Sequence, residues 1–264
     1  MTAPVRLIPL GDNPSGMSDQ SAVPGRAGVE GAVMPEPSEI SQWTNVSTTV
    51  LGTLGISLLL VTVDVFWRRT RLLSTLVHEV GHSVVLLVTG NWVRFLWLSP
   101  SGAGATGLPR RKLFWPSNVL GTLAGYPAPS IAGLLLARGI EVGWDSRTVL
   151  GVLLLLLVGT ALFNADLFTL TVMVVIGLVG AVFFYRAGPG AQFGAVTALA
   201  WFLLLAGLRD SFSVSGLSGR QHRFGGSDQA ALEELTAIHA HVWSLFFIVI
   251  ALAAFVTSAR WLLF

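Results

Sequence analysis

The sequence predicts an all-α polytopic membrane protein with about seven transmembrane helices. Two observations support this fold class: 53% of the 264 residues are hydrophobic and only 11% are charged, and the mean hydropathy is +0.70. A soluble globule needs more charged residues to cover its surface. The formal net charge is only +2, and the basic residues lie beside apolar runs instead of forming a patch. The sequence therefore predicts a lipid environment and no nucleic-acid partner.

The first 45 residues are predicted to form a disordered tail ahead of a membrane-embedded domain at 46–264. This tail is rich in Pro, Gly and Ser and has no sustained apolar period. It cannot bury enough apolar surface to offset the entropy lost on ordering. It also lacks the short apolar core and small-residue cleavage site of a cleaved signal peptide. We therefore expect the first transmembrane helix to act as the insertion signal.

The apolar runs predict the individual spans, because a hydrocarbon core of about 30 Å needs about twenty helical residues. The predicted spans are 48–67, 72–89, 113–137, 148–163, 167–185, 191–208 and 241–264. Gly125-Tyr-Pro-Ala-Pro129 interrupts the third span, and two prolines in one turn predict a break there. The break either opens a path toward a site inside the membrane or serves only helix packing.

A histidine motif lies in the second span. It reads His78-Glu79-Val80-Gly81-His82, and Glu79 is the only charged residue in the segment 75–89. On a helix, residues four apart share one face, so two imidazoles can converge on one Zn²⁺ while Glu79 acts as general base. Ionisable groups inside a membrane are costly and indicate function. Since the chain has no cysteine, any further zinc ligand must come from His, Asp or Glu.

An extended or β-hairpin segment is predicted after the motif helix. Residues 92–98 are mostly β-branched or aromatic, and the turn-forming residues of 99–107 follow. If this segment lies beside the motif, its strand edge could pair with an unfolded substrate segment, as in β-addition. Alternatively, it is a polar loop with aromatic anchors at the membrane interface. A short amphipathic helix is predicted to begin at Ser227-Asp228, before the last span.

Other polar residues near the span ends are additional candidates. Asp64 lies in the last turn of the first span, where it either pairs with nearby arginines or contributes a ligand. His239 and His241 are either interfacial histidines or an extra ligand pair.

The motif helix and the glycine-containing extended segment after it resemble the site-2 protease class of intramembrane zinc metalloproteases. The closer resemblance is to a group of bacterial site-2-protease-like membrane proteins. That group shares a Gly-Tyr-Pro-Ala-Pro kink, an Asn-Leu-Phe-like turn and a Ser-Asp-Ala-like element, which read here as Gly125 to Pro129, Asp166-Leu167-Phe168 and Ser227-Asp228-Gln229. The resemblance implies a multi-pass zinc metalloendopeptidase of the cell membrane that cleaves membrane-anchored proteins.

The third zinc ligand is the point at which the sequence departs from the class. Site-2 proteases take this ligand from a Leu-Asp-Gly motif, which is absent here. Asp166 is the nearest substitute and Asp228 is its competitor. Counting crossings places Asp166 about 12 to 15 Å along the membrane normal from His82. Asp228 faces a similar mismatch, although its long loop can fold inward. We place Asp166 first.

The missing motif also favours an alternative function. In this second hypothesis the chain is a non-proteolytic membrane protein that uses the histidines for metal transport or retains a degenerate binding site. Transport calls for a series of polar residues along several spans, whereas spans three to seven carry almost no charge away from their ends. Hydrolysis is therefore the preferred prediction.

Overall fold

The fold is a helical bundle with one small antiparallel sheet. The computed structural model describes residues 37–107, 114–162, 166–214 and 227–264. The helices are α1 (Pro37–Thr62), α2 (Asp64–Val88), α3 (Trp115–Leu123), α4 (Pro127–Glu141), α5 (Ser146–Ala161), α6 (Leu167–Arg186), α7 (Pro189–Val214), α8 (Asp228–Thr236) and α9 (Ala240–Leu263); the strands are β1 (Phe95–Leu98) and β2 (Gly104–Gly107). The predicted all-α class with a hairpin after the motif helix is confirmed.

Four of the described helices are long and apolar enough to cross a membrane: α2, α6, α7 and α9. The pair α3 and α4, bent by 63°, makes a fifth span if it is counted as one. The segment 48–62 of α1 and helix α5 are apolar but shorter. The chain is therefore a multi-pass membrane protein, and the count of about seven spans stays a prediction.

Helix α7 forms the centre of the bundle and packs against α1, α4, α5 and α9. Its inward side chains include Ala200, Trp201 and Leu204, none of which is exposed. A Cβ on Gly133 of α4 would lie 2.9 Å from the carbonyl oxygen of Ala200. The small residue therefore permits a close backbone approach, which is how helices associate when lipid removes the hydrophobic drive between them.

The break between the first two helices differs from the prediction. The sequence predicts it at the arginines that follow residue 67, whereas α1 ends at Thr62 and α2 begins at Asp64. Arg209 of α7 explains this position, because its guanidinium donates to the carbonyl oxygen of Val61 and, at 2.7 Å, to Asp64 Oδ1. A tertiary contact thus satisfies a carbonyl released by the bend. Asp64 therefore forms an ion pair with Arg209.

The other boundaries follow the sequence more closely. Pro127 and Pro129 lie in the first turn of α4, where a missing N–H costs little, so the predicted break is confirmed. Helix α7 runs past the predicted end of its span at residue 208 to Val214. Its charged residues Arg209 and Asp210 have partners on α1 and α2. Helix α1 begins at Pro37, within the predicted tail. Residues 1–36 of that tail, the turn at 163–165 and most of the loop before α8 lie outside the described residues.

Candidate metal centre

Helix α2 brings the two motif histidines together. His78 and His82 are one turn apart, their Nε2 atoms are separated by 3.1 Å, and their rings meet edge to face at a centroid distance of 4.7 Å. His82 is buried and His78 is partly buried. Because both Nε2 atoms face the same point, the pair can offer two nitrogen lone pairs to one cation.

Asp228, the first residue of α8, lies beside this pair. Its Oδ2 atom is 3.2 Å from His78 Nε2 and 3.3 Å from His82 Nε2. Tetrahedral zinc with bonds of 2.0–2.1 Å separates its ligand atoms by about 3.3 Å. The three donor atoms therefore already have the mutual spacing of three corners of a zinc tetrahedron.

Two further observations test whether a metal ion fits here. Asp228 Oδ2 is buried and has no partner in hydrogen-bond geometry among the described residues, despite its short distances to the imidazoles. A Cβ on Gly125 would lie 2.5 Å from His82 Nε2 and 2.6 Å from His78 Nε2. An orphaned carboxylate oxygen and a space preserved by a glycine both suit a cation. Nitrogen and oxygen donors in this number fit zinc.

Hydrogen bonding and packing orient the imidazoles. His82 Nδ1 lies 2.7 Å from the carbonyl oxygen of Gly121 in α3, so this nitrogen carries the proton and Nε2 remains free to bind a metal. The His78 ring packs edge-on against Tyr126 at a centroid distance of 4.8 Å, and Tyr126 stacks on Phe247 of α9 at 5.2 Å. The break between α3 and α4 therefore forms one wall of the centre.

Glu79 lies on the neighbouring face of α2 and is only 4% exposed. Its Oε2 atom accepts a hydrogen bond of 2.7 Å from the hydroxyl of Thr106 in β2. The hairpin therefore covers the side of the motif helix that carries the carboxylate. Glu79 therefore follows a candidate metal ligand directly in the sequence, and its buried carboxylate is covered by strand β2.

The hairpin is a two-stranded antiparallel sheet in which Phe95 pairs with Gly107 and Leu98 with Gly104. Strand β2 packs against α2, and the N–H of Leu98 in β1 donates to Thr169 Oγ1 of α6 at 2.8 Å. The segment is therefore a packed hairpin, and the alternative of a polar interfacial loop does not describe it. Pairing of a substrate strand with its edge stays a prediction, and at Leu98 such a strand would have to displace Thr169.

The other predicted residues lie elsewhere. The described residues whose potential ligand atoms all lie within 4.8 Å of one another are His78, His82 and Asp228, so Asp166, placed first from the sequence, is not brought to the histidines. It is the N-cap of α6, and its Oδ2 accepts from Thr169 N and Thr169 Oγ1 at 2.9 Å each. The side chain of Asp166 therefore caps α6.

Asp228 reaches the centre because α8 folds back onto α3 and α9. Counting membrane crossings along the sequence cannot predict that a short helix folds back in this way. The pair His239 and His241 is stacked at 5.0 Å next to the start of α9.

A second carboxylate near the site was missed by the sequence reasoning. Asp210 of α7 accepts a hydrogen bond of 2.8 Å from Ser74, which lies one turn before His78 on α2 and is not exposed. The sequence assigns residue 210 to a polar loop because Arg209 and Asp210 end the apolar run. The helix continues through both residues, whose partners lie more than 130 positions away in the sequence, so no local signal could have identified this contact.

One of three comparisons with known proteins identifies a family for this chain. A family model described as Peptidase M50B-like matches residues 51–258. No curated protein and no solved structure matches the chain. The matched region contains the whole motif helix, the broken span and α8, and covers well over half of the sequence. The resemblance to site-2-protease-like proteins is thereby confirmed, and the chain belongs to the Peptidase M50B-like family of membrane proteases.

Proposed function

We propose that the protein is a zinc metalloendopeptidase of the cell membrane that hydrolyses peptide bonds in membrane-anchored proteins. The observation that carries the proposal is the separation of 3.1 to 3.3 Å among His78 Nε2, His82 Nε2 and Asp228 Oδ2. In this proposal these three residues hold the ion, and Asp228 takes the place first predicted for Asp166. Glu79 is the general base.

The proposed mechanism follows from the positions of these residues. Zinc bound at this centre supplies Lewis-acid activation of water and of the scissile carbonyl. Glu79 takes a proton from the attacking water as the water oxygen bonds to the carbonyl carbon. The C–N bond then breaks, and Glu79 delivers that proton to the leaving amine. The burial of Glu79 excludes bulk water, which strengthens its electrostatic interactions with the reacting groups.

The substrate in this proposal is a locally unwound segment of a membrane-anchored protein. A helical substrate hides its carbonyl groups in internal hydrogen bonds, whereas attack requires an accessible carbonyl carbon. The break between α3 and α4, whose Gly125 and Tyr126 border the histidines, supports access from that side.

Zinc stoichiometry tests the ligand assignment. Protein purified in detergent should hold one zinc ion per chain, and His78→Ala and Asp228→Asn should each lose it. Asp166→Asn is the matched control, since asparagine caps a helix as well as aspartate does, and it should retain the ion. Loss of zinc in the Asp166 variant with retention in the Asp228 variant would reverse the assignment.

Cleavage tests the function itself. The probe is a reporter protein fused to one membrane span that contains a helix-breaking Asn-Pro pair. The wild-type protein should cleave it, and Glu79→Gln should lose activity by about 100-fold or more while keeping its zinc. A zinc-loaded wild-type protein no more active than Glu79→Gln on such spans would instead favour the non-proteolytic metal-binding alternative.

A further inference from the structure

The β-hairpin contacts three residues of the motif helix that lie one helical turn apart, Arg71, Thr75 and Glu79. Arg71 donates to the carbonyl oxygen of Ser101, Thr75 Oγ1 donates to that of Gly102 at 3.1 Å, and Thr106 contacts Glu79. On the same face of the hairpin, Leu96 and Leu98 of β1, which pair with Thr106 and Gly104, are buried in a cluster with Leu76 of α2 and Met173 of α6. The hairpin is therefore held against α2 by polar contacts and by an apolar cluster beside them.

The carboxylate of Glu79 is contacted through both of its oxygens. The Thr106 hydroxyl has one proton and two acceptors within reach, Glu79 Oε2 at 2.7 Å and the Glu79 carbonyl oxygen at 3.2 Å. The shorter contact, to a charged acceptor, is the stronger one. Gly104 lies against Oε1, and a Cβ there would overlap Oε1 and approach Cγ to 2.8 Å. Strand β2 thus donates a hydrogen bond to Oε2 through Thr106, and the missing side chain of Gly104 leaves room for Oε1.

Such a restraint matters for a general base. Glutamate has three side-chain torsions, and a base must stay within hydrogen-bond reach of the proton that it removes. A displacement of about 1 Å at a reacting group can cost about 100-fold in rate. Among the described residues, both hydrogen bonds of the Thr106 hydroxyl go to Glu79, so we expect it to influence the reaction through Glu79.

We propose that Thr106 is a positioning residue for Glu79, and that the hairpin serves to fix the carboxylate of the base. This inference rests on the proposed function, because it assigns Glu79 the role of base. Thr106 supplies the hydrogen bond, and Gly104 supplies the clearance that lets the carboxylate lie against the strand.

The first test compares Thr106→Val with Thr106→Ser in the reporter cleavage assay. Valine keeps the shape of threonine and removes the donor, and we expect kcat to fall by about 10- to 100-fold with KM within about threefold and zinc still at one per chain. Serine should restore kcat to within about threefold of wild type. Thr160→Val should leave kcat unchanged, because within the described residues this hydroxyl donates to the carbonyl oxygen of Leu156 in its own helix. Unchanged kcat in Thr106→Val, or a loss confined to KM, would overturn the proposal.

The second test does not need activity. The carboxylate stretching band of Glu79 is obtained as the infrared difference between a protein and its Glu79→Gln counterpart. In the Thr106→Val background this band should move and broaden relative to wild type, and Thr106→Ser should return it. An identical band in all three backgrounds contradicts the positioning role even if the protein cleaves nothing. A protein that shows the band shift but no cleavage would refute the proposed function and leave the hydrogen bond established.

Discussion

At the scale of single residues, Gly125 determines how much space lies in front of the two histidines. It is the residue where α3 and α4 meet, and its absent side chain leaves the region beside both Nε2 atoms open. A methyl group on this residue would fall within 2.6 Å of both nitrogens. The glycine thus belongs to the centre although it has no ligand atom.

Gly125→Ala should weaken zinc binding by at least about tenfold, because the methyl group competes with the ion for the same space. The measurement is a competition titration of the purified protein against a chelator of known zinc affinity. Gly52→Ala is the matched control, since nothing lies within 4 Å of a Cβ at that position. Equal zinc affinity in the two variants would show that the space beside the nitrogens is not where the ion binds.

Residues of the centre differ in how far the sequence could predict them. His78, Glu79 and His82 lie on one helix, so a spacing of four residues suffices to bring the imidazoles together. Asp228 follows a long connection and meets them only through the packing of α8. Asp166 has the same chemistry, but its local hydrogen bonds to Thr169 use it as a cap. Residue type and approximate position along the membrane normal could not decide which of these two aspartates lies beside the histidines.

At the scale of elements, α8 is the helix that presents Asp228, and contacts near its C-terminal end hold it. Trp115 Nε1 of α3 donates to the carbonyl oxygen of Leu235 at 2.8 Å. Glu233 Oε2 accepts from the backbone N–H of Ala240 at 2.9 Å and thereby caps α9. The helix ends at Thr236, and its C-cap Ala237 has a left-handed backbone with φ of 58°. These contacts set the direction in which α8 approaches the histidines.

Trp115→Phe should weaken zinc binding without removing a ligand. The hydrogen bond to Leu235 contributes about 0.5–1.5 kcal/mol, so its loss should reduce zinc affinity by roughly 2- to 12-fold if α8 docking is coupled to binding. The same chelator titration measures this change. Trp144→Phe replaces an exposed tryptophan far from α8 in the sequence and should leave the affinity unchanged. A wild-type affinity in Trp115→Phe would mean that α8 is held by its other contacts alone.

The elements also show where local patterns stop predicting boundaries. The prolines at 127 and 129 produced the expected break because their effect is local. The bend near residue 63 and the extension of α7 through Asp210 were not predicted, because they depend on contacts of Arg209 and Asp210 with α1 and α2. A charge normally ends a span when it has no partner, and the partners are invisible in the sequence.

At the scale of the whole molecule, the apolar composition is distributed so that α7 is mostly enclosed and α6 faces outward. Of an 18-residue apolar stretch in each helix, 11% is buried in α6 and 56% is buried in α7. Outward side chains on α6 include Val174, Leu178 and Val182. An apolar outer surface of this kind is stable only in lipid, which is why composition alone predicted the class of protein.

Leu178→Lys should impair membrane insertion much more than Tyr185→Lys. Leu178 lies toward the middle of α6 and Tyr185 in its last turn next to Arg186, and both side chains are exposed. A lysine near the centre of a span costs about 2.5–3.5 kcal/mol on insertion scales, and the cost falls toward the interface. The fraction of protein recovered in alkaline-washed membranes measures the difference. Equal recovery of both variants would contradict the assignment of α6 as a lipid-facing span.

The position of Asp228 relative to the histidines has a consequence for folding. The donors at 82 and 228 are separated by most of the chain, and one metal ion holding both would act as a cross-link that closes the long intervening loop. Such a closure lowers the entropy of the unfolded chain, and metal affinity then becomes part of the free energy of folding. A bound metal ion would therefore stabilise the helical bundle in addition to serving the reaction. The helices whose attachment to the rest of the protein it would stabilise are α8 and α9.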